Sequence, residues 1–374
     1  MLVVLFVIMA ITILAYGFMA RSDVELACGQ NMALRTAADY LAESGLQHAR
    51  GLILNPQDVG TEYWAGAAGQ QLVAGSSDYY DVAVTKLGPC NYQITSEGYR
   101  QKGTEKIGRS SLTCELRLDP CIALWTGTSW NSESKTVING DVYCNGDLSD
   151  SLAVSGHAII NGDAFVSNDI TIGSILGAKN ANLSQPPIAL PGLSTSDFSS
   201  SYYAGTSNYS VQVIGGPNFP AGNYFPSSGN PAGVYYFNGD VNVPGGVNIN
   251  GMLVVNGNLK VQGTNNVITA VKNFPALLVG GDLIMENAAT MEVNGLAQIG
   301  HGVVIKSGAA NVHIAVSGAL LILNEDIDGL IWSNNSTVNV TAVPDKAAIQ
   351  VWLSGIPTRW SPAGGAFFRS IRRQ

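Results

Sequence analysis

Four aspartates that follow glycine in short turns are the first candidates for chemistry in this sequence. They are Asp141, Asp163, Asp240 and Asp282. If they stack on one face of a repetitive β-structure, their carboxylates could bind Ca²⁺ through oxygen ligands or act as the acid and base of polysaccharide cleavage. Asn-Gly-Asp also forms turns for purely structural reasons, and we favour that interpretation. Asp141 and Asp163 lie one repeat apart and share their preceding residues, so any metal would be expected there, although we predict no metal.

The other residue types that support catalysis show no catalytic pattern. His48, His157, His301 and His313 form no ligand spacing, although a loop could bring His301 near His313. The sequence contains no GxSxG, no GxxxxGK[ST] and no Cys/His dyad. We therefore predict that the protein is not an enzyme and needs no cofactor.

The five cysteines suggest two disulfides and one free thiol in an oxidising compartment. No CxxC pair occurs, which argues against zinc and thioredoxin-like sites. Cys28 falls in a predicted helix and is the expected free thiol. We expect Cys90 to pair with Cys114, and Cys121 with Cys144, because each pair spans about one hairpin or one coil.

Composition indicates a turn-rich β protein exposed outside the cell. Only 12% of the 374 residues are charged, whereas 43 are glycine and 15 are proline. The formal net charge of −8 argues against nucleic acid as a partner, because phosphate recognition needs a basic surface.

The elements that position these residues begin with a long apolar helix. Residues 1–20 carry no charge, and the helical pattern continues to about Leu54, just before Pro56. Such a helix would be roughly 80 Å long. A secretory signal peptide would have a basic start and a cleavage site, and a plain membrane anchor with a helical linker is the alternative. The helix is expected to lie against a globular head through a stripe of residues: Leu34, Ala38, Leu41, Gly45, Ala49 and Leu52.

Beyond the helix, which we assign to residues 1–55, the sequence predicts an α+β protein with two β regions. Residues 56–120 alternate apolar and polar side chains as in an antiparallel meander packed on the helix. Residues 121–345 repeat short alternating runs separated by glycine turns, with glycine intervals between 18 and 24 residues. That period is typical of a parallel β-helix, or solenoid, although a β-sandwich is the alternative.

Two segments depart from the repeat. Residues 181–234 are rich in proline, serine and aromatic residues, and are either functional or an ordered excursion packed on the flank of the solenoid. Residues 346–374 are expected to cap the last coil or to dock on a neighbouring molecule, because an open sheet edge is an aggregation hazard.

The N-terminal residues resemble a known family. The segment MLVVLFVIMAITILAYGFMA and the later YLAESGLQHA resemble the N-terminal helix of type IV pilin-like proteins, in particular the PilX-like and K-type pseudopilin branch. The glycine-rich repeat resembles the β-solenoid heads of some PilX-like proteins.

The resemblance implies an assembly helix and a processed N-terminus. A prepilin peptidase would cut the protein so that Met1 becomes its methylated first residue; alternatively, Met1 is the initiator and is not processed. The apolar residues would then pack in a filament core. Major type IV pilins carry Glu at the fifth position, which neutralises a neighbour's amine, but this sequence has Leu5. The helix-breaking proline that such proteins usually carry near the end of the apolar segment is missing here, and Gly17 could substitute for it. The expected assembly residues are Met1, Leu2, Leu5, Phe6, Met9, Ile13 and Gly17.

Three functions follow. The first is a structural subunit of an extracellular type IV pilus-like filament, inserted in the inner membrane before assembly, with copies of itself and the pilus assembly machinery as partners. The second is a minor or tip pseudopilin of a pilus or type II secretion system. The third is a membrane-anchored β-helix that binds or cleaves polysaccharide.

Overall fold

A long helix and many short strands make up the structure, which is a computed structural model. It describes residues 1–55, 63–132, 135–150, 157–183, 192–271, 273–306, 309–324 and 336–373. The helices are α1 (Leu2–Leu54), α2 (Pro344–Ala347) and a 3-10 turn (Thr195–Phe198). The antiparallel sheet, the parallel sheets and the long N-terminal helix confirm the predicted α+β class.

The strands fall into groups along the chain. The first group contains β1 (Gly66–Gln71), β2 (Asp78–Gly88), β3 (Asn91–Lys102) and β4 (Glu105–Leu118). The second contains β5 (Ile122–Thr126), β6 (Trp130–Ser132), β7 (Lys135–Asn139), β8 (Asp141–Cys144), β9 (Leu148–Asp150), β10 (Ala158–Ile160), β11 (Ala164–Val166), β12 (Ser174–Ile175) and β13 (Lys179–Asn180). A hairpin then follows, with strands β14 (Ser201–Ala204) and β15 (Ser207–Ser210).

The remaining strands complete the repeat and the C-terminal region. The third group contains β16 (Gln212–Val213), β17 (Gly222–Tyr224), β18 (Val234–Phe237), β19 (Val241–Val243), β20 (Val247–Asn250), β21 (Met252–Val255), β22 (Leu259–Val261), β23 (Asn266–Thr269), β24 (Leu277–Val279), β25 (Leu283–Met285), β26 (Thr290–Ile299), β27 (Val303–Ile305), β28 (His313–Ile322) and β29 (Thr337–Ala342). The last strands are β30 (Ile349–Leu353), β31 (Ile356–Trp360) and β32 (Ala366–Arg373).

The second half of α1 packs on a five-stranded antiparallel sheet with the order β1-β2-β3-β4-β32. The helix and sheet approach closely at Gly98, where an added Cβ would collide with the carbonyl oxygen of Ala38 and lie 2.6 Å from the amide nitrogen of Ala42. The stripe predicted from the sequence is correct for most positions, but Ile53 rather than Leu52 is buried at its end, and Leu34 is half-buried. The buried residues of α1 are Ala38, Leu41, Ala42, Gly45, Leu46, Ala49 and Ile53.

Residues beyond β4 form a parallel β-helix with three faces. Face A consists of β17, β20, β23, the first half of β26, the first half of β28, then β29, β7, β10 and β12. Face B consists of β16, β18, β21, β24, the second halves of β26 and β28, then β5, β8, β11 and β13. Face C is formed by β19, β22, β25 and β27, and further along by β6 and β9. The inward-facing apolar side chains of each coil stack on those of the next coil and form one continuous core, as in other solenoids.

The coils do not stack in chain order. The chain enters the β-helix at β5, in the middle of the stack, and winds outward to β13. It then reappears at the opposite end with β16 and winds back until β28 pairs with β5 and β29 pairs with β7. We call this junction the seam. Leu320 lies opposite Leu124 there, and Val338 lies opposite Thr136, so two distant chain segments form one continuous stack.

The excursion between the two runs, together with the segment that follows β29, covers the outer side of face B. The 3-10 turn, the β14–β15 hairpin, the β30–β31 hairpin and α2 form this outer layer. Phe198, Tyr202 and Val351 pack there in a second hydrophobic core with Val254 and Leu321 of face B. Of the segment 181–234, residues 192–211 therefore belong to the flank and residues 212–224 to the first coils of the second run, whereas residues 184–191 lie outside the described part.

The C-terminal tail differs from the prediction. We expected it to cap the last coil or dock on a neighbour, but Ala366–Arg373 pairs with β4, placing Ala366 opposite Leu118 and Arg373 opposite Leu112. The β-helix is therefore an insertion between two neighbouring strands of the helix-bound sheet. The physical reason is that β4 has a free edge, which the alternating segment AFFRSIRR satisfies with backbone hydrogen bonds.

Candidate functional site

The first half of α1 is a bare apolar surface. Every residue from 1 to 33 is exposed, including the expected assembly residues Leu5 and Phe6, which are 69% and 68% exposed. By length and composition this helix is sufficient to cross a membrane, and its most apolar stretch has no buried residue. The helix continues through Gly17, around which nothing approaches within 4 Å.

Residues 1–20 of this half carry no charged side chain, so the helix is apolar on all sides there. A helix that is apolar all round belongs inside a membrane or an assembly. Burying each large apolar side chain is worth ~1.5–3 kcal/mol, whereas the exposed Arg21–Glu25 ion pair (3.0 Å) contributes ~0–1 kcal/mol. Burial therefore dominates the energetics of this segment. The large apolar side chains include the expected Met1, Leu2, Leu5, Phe6, Met9 and Ile13.

Two contacts from the C-terminal strand hold the second half of α1 in place. The Arg50 Nε donates to the carbonyl oxygen of Ala366 at 3.0 Å, and the Arg373 guanidinium lies 3.3 Å from a carboxylate oxygen of Asp39. The hydroxyl of Ser110 on β4 also donates to Asp39. The bare half of α1 thus projects from a second half that is held at two positions, Asp39 and Arg50.

The disulfide joins Cys90 to Cys121, so the predicted pairing is wrong. Arg117 lies opposite Asn91 in the β3–β4 ladder, which places Cys114 three residues away from the turn that contains Cys90. In the β5–β8 pair, Cys144 lies opposite Thr126, at the far end of the strand from Cys121. Since a strand rises ~3.3 Å per residue, the two thiols are too far apart to bond. The bond instead ties the β2–β3 turn to the start of the β-helix. Among the described residues, Cys28 is exposed and free, while Cys114 and Cys144 are buried thiols.

Asp141 and Asp163 stack at one corner of the β-helix, as their spacing predicts. The backbone N–H of Asp163 donates to Asp141 Oδ1 at 2.8 Å, and Cys121 N–H donates to Asp141 Oδ2 at 2.8 Å. Asp163 Oδ1 in turn accepts from Ala178 N–H at 2.8 Å. Each carboxylate therefore links its own coil to the next through the backbone, which supports the turn-forming interpretation.

A cation from the neighbouring sheet already faces this corner. Arg117 Nη2 lies 2.7 Å from Asp163 Oδ2 and 3.5 Å from Asp141 Oδ1. Burial raises the pKa of Asp141, and this effect outweighs its amide hydrogen bonds and Arg117, which act in the opposite direction. Asp119 completes a set of three carboxylates whose oxygens lie within 4.8 Å of one another. The hydrogen bonds and Arg117 account for Asp141 and Asp163 without a metal ion.

Asp240 and Asp282 occupy a different corner, between faces B and C. Asp240 Oδ1 accepts from Asn258 N–H, and Asn258 Oδ1 accepts from Asp282 N–H, each at 2.8 Å. This row has the same coil-to-coil pattern as the first corner. The four aspartates singled out in the sequence therefore do not form one site.

The histidines are also separate. His48 Nδ1 lies 3.1 Å from the Tyr80 hydroxyl on the helix-bound sheet, and His157 Nδ1 lies 3.1 Å from Asp150 Oδ1 in the β-helix. His313 contacts Thr337. Sequence reasoning missed Arg117, which joins the sheet to the aspartate corner. Its signal was present, because the alternation of β4 leaves one basic residue next to the buried Leu116 and Leu118.

Comparisons with known proteins give little to identify the chain. No family model and no curated protein matches it. Among solved structures, the crystal structure of the competence-associated pilin ComZ from Thermus thermophilus is similar at 10% identity, with a TM-score of 0.28, over 91% of this chain and 98% of that chain. A similarity this low carries no argument, so the function is inferred from the chain's own residues.

Proposed function

We propose that this protein is a structural subunit of a type IV pilus-like surface filament. It would be held in the inner membrane before assembly, polymerise through residues 1–33 of α1 and display the β-helix outward. One observation carries the proposal: a single helix is packed on a sheet over its second half and is bare and apolar over its first half. A membrane anchor alone does not need its helix to continue without a break into the head.

Copies of the chain would cover the bare half. Head-to-tail contacts related by a screw operation give open filaments, and small residues such as Ala10, Gly17 and Ala20 allow apolar helices to approach closely. The expected core residues Met1, Leu2, Leu5, Phe6, Met9 and Ile13 would then be buried between helices. The pilus assembly machinery and a prepilin peptidase, acting at Met1, would be the other partners.

The alternative is a minor or tip subunit, and Leu5 leaves the choice between it and a bulk subunit open. An ammonium group that is buried without a partner is costly, and in a bulk filament the amine of Met1 would meet Leu5 rather than the Glu of the major pilins. At a filament tip the amine would face fewer neighbours. Filament density with a β-helix at every repeat would favour the bulk subunit, whereas one copy at the filament end would favour the tip subunit.

The contacts of Asp141 and Asp163 do not favour the third candidate, a membrane-anchored polysaccharide-cleaving β-helix. A general acid or base must be able to reach the substrate, but both carboxylates are engaged by backbone amides and Arg117. We expect Asp163→Ala to lower stability rather than to abolish a cleavage activity.

A charge in the bare helix tests the proposal. Leu5→Asp should abolish filaments seen by electron microscopy of cells, because a buried carboxylate costs several kcal/mol at every interface. The matched control is Leu87→Asp, which changes an exposed leucine of the sheet and should leave filaments intact. Circular dichroism of both variants should show a folded head. Normal filaments from Leu5→Asp would overturn the proposal.

A further inference from the structure

Face A carries on its outer side an uninterrupted row of amide and hydroxyl side chains, which we call the amide–hydroxyl row. Its end residues Asn250 and Asn161 are exposed, and the five residues between them are half-buried. Its members occupy equivalent positions in neighbouring strands. The next strand position inward is buried in every coil from β20 to β10 and carries valine or isoleucine, so the strand alternation points the row outward. The row consists of Asn250, Thr269, Asn294, Ser317, Thr341, Asn139 and Asn161.

The row crosses the seam without a break. Thr341, from the second run, accepts from the Asn139 side chain at 3.2 Å, and Asn139 Oδ1 accepts from Asn161 Nδ2 at 2.7 Å. Repetition of a local sequence unit cannot explain this continuity, because the two segments meet only in space. These residues therefore share a position on the surface of face A rather than a position in one repeated stretch of sequence.

The row is electrically neutral. No member of the row is charged. The nearest charged group on the same face is Glu292 in the neighbouring row, whose Oε1 accepts a hydrogen bond from Asn294 Nδ2 at 2.9 Å, and Lys135 lies one row further out. A phosphate, sulfate or carboxylate polymer would thus find no basic row to balance its charge.

The chemistry of the row fits a polyhydroxyl ligand. Amide and hydroxyl side chains both donate and accept hydrogen bonds, as sugar hydroxyls do. With strands ~4.8 Å apart, the row is roughly 30 Å long and straight, which suits an extended polymer better than a small molecule. Phe225 follows Tyr224, the partner of Ile249 in the strand next to β20, and the residue is 61% exposed. An exposed ring can stack on the apolar side of a sugar.

We propose that the amide–hydroxyl row binds a neutral, extended polysaccharide that lies along the axis of the β-helix, with Phe225 stacking on its end. The binding site is on face A, where Asn139 and Asn161 lie two residues before the aspartate corner, and it involves no cleavage. The proposal does not depend on filament assembly, because the row is complete within one chain.

Binding of the detergent-solubilised full chain to microcrystalline cellulose and to chitin, two neutral extended polysaccharides, tests this inference. The wild type should be depleted from solution by at least one of them. Thr269→Lys and Ser317→Lys should each weaken that binding at least tenfold, and Phe225→Ala should weaken it several-fold. The control Asn242→Lys adds the same charge to an outward position of face C and should bind as the wild type does. Thr269→Ser keeps the hydroxyl and should also bind normally.

Several outcomes would overturn the inference. These are a wild type that binds neither polysaccharide, an Asn242→Lys control that loses binding equally, and preferential binding of double-stranded DNA. Row variants that bind polysaccharide normally but no longer self-associate would show an interface between copies instead. Thermal unfolding of each variant separates loss of binding from loss of fold, and electron microscopy of filaments scores the proposed function independently.

Discussion

The side-chain amide of Asn139 donates a hydrogen bond to the hydroxyl of Thr341 at 3.2 Å, although 202 positions separate them in the chain. This contact crosses the seam, where the last coil of the second run stacks on the first coil of the head. The chain therefore closes its β-helix from both directions. The same closure leads β32 back to the sheet that holds α1, so α1 and the β-helix form one connected unit.

The seam should be a determinant of stability. Leu124 is buried and lies opposite Leu320, so Leu124→Ala should lower the free energy of unfolding by ~2–5 kcal/mol. Lys135→Ala, at an exposed position of β7 on face A, should change it by less than ~0.5 kcal/mol. Chemical denaturation of both variants measures the difference, and equal stabilities would argue against the seam.

The cysteines should react unequally. Non-reducing peptide mapping should recover Cys90 linked to Cys121, and replacing both by alanine should cost ~2–5 kcal/mol. Burial raises the pKa of the Cys114 thiol to about 11, more than its contact with Ile94 lowers it, so this thiol stays protonated and unreactive at neutral pH. A thiol reagent should label the exposed Cys28 at once and Cys114 only after unfolding. Rapid labelling of Cys114 in the folded protein would contradict its placement.

The Arg100–Asp78 ion pair should make the free energy of unfolding depend on pH in the acidic range. Arg100 donates to both carboxylate oxygens, at 2.6 and 2.9 Å, and these hydrogen bonds lower the pKa of Asp78. A lowered folded-state pKa contributes stability above the unfolded value of 3.8, and this stability is lost as the pH falls through the folded-state pKa. Arg100→Leu should therefore destabilise the protein at pH 7 and differ less from wild type below pH ~3. A difference that is independent of pH would refute the assigned cause.

The close contact between the sheet and α1 predicts that alanine substitutions at two glycines of the sheet change stability differently. A Cβ at Gly98 would collide with the α1 backbone, whereas one at Gly88 meets nothing within 4 Å. Gly98→Ala should lower the free energy of unfolding by ~1–3 kcal/mol. Gly88→Ala should change it little or raise it slightly. If both variants melted at the wild-type temperature, the helix would not pack on the sheet at this point.

The regular features of the fold were predictable because they are local. The helix pattern before Leu54 and the interval between Gly140 and Gly162 carry the period of their elements, and a Cβ at Gly162 would indeed collide with Gly140 in the neighbouring coil. The bare apolar half of α1 likewise follows from composition alone.

The order of the coils was not predictable from the sequence. A repeat specifies how a coil packs on a similar one, but it does not specify which run of coils comes first in space. The partners of Leu124 and of Leu118 depend on where the chain returns after long excursions. The prediction of the disulfide pairing was wrong for a related reason: the register of β4 and β5, rather than sequence separation, decides which thiols meet.

Cryo-electron microscopy of filaments from cells that produce this protein tests the central claim most directly. We expect a core of packed helices formed by residues 1–33, a head on the outside in which β32 pairs with β4, and side chains of Leu5 and Phe6 buried between neighbouring copies. Cells whose protein remains single in the membrane, with residues 1–33 surrounded by lipid and no filament of this chain, would contradict it.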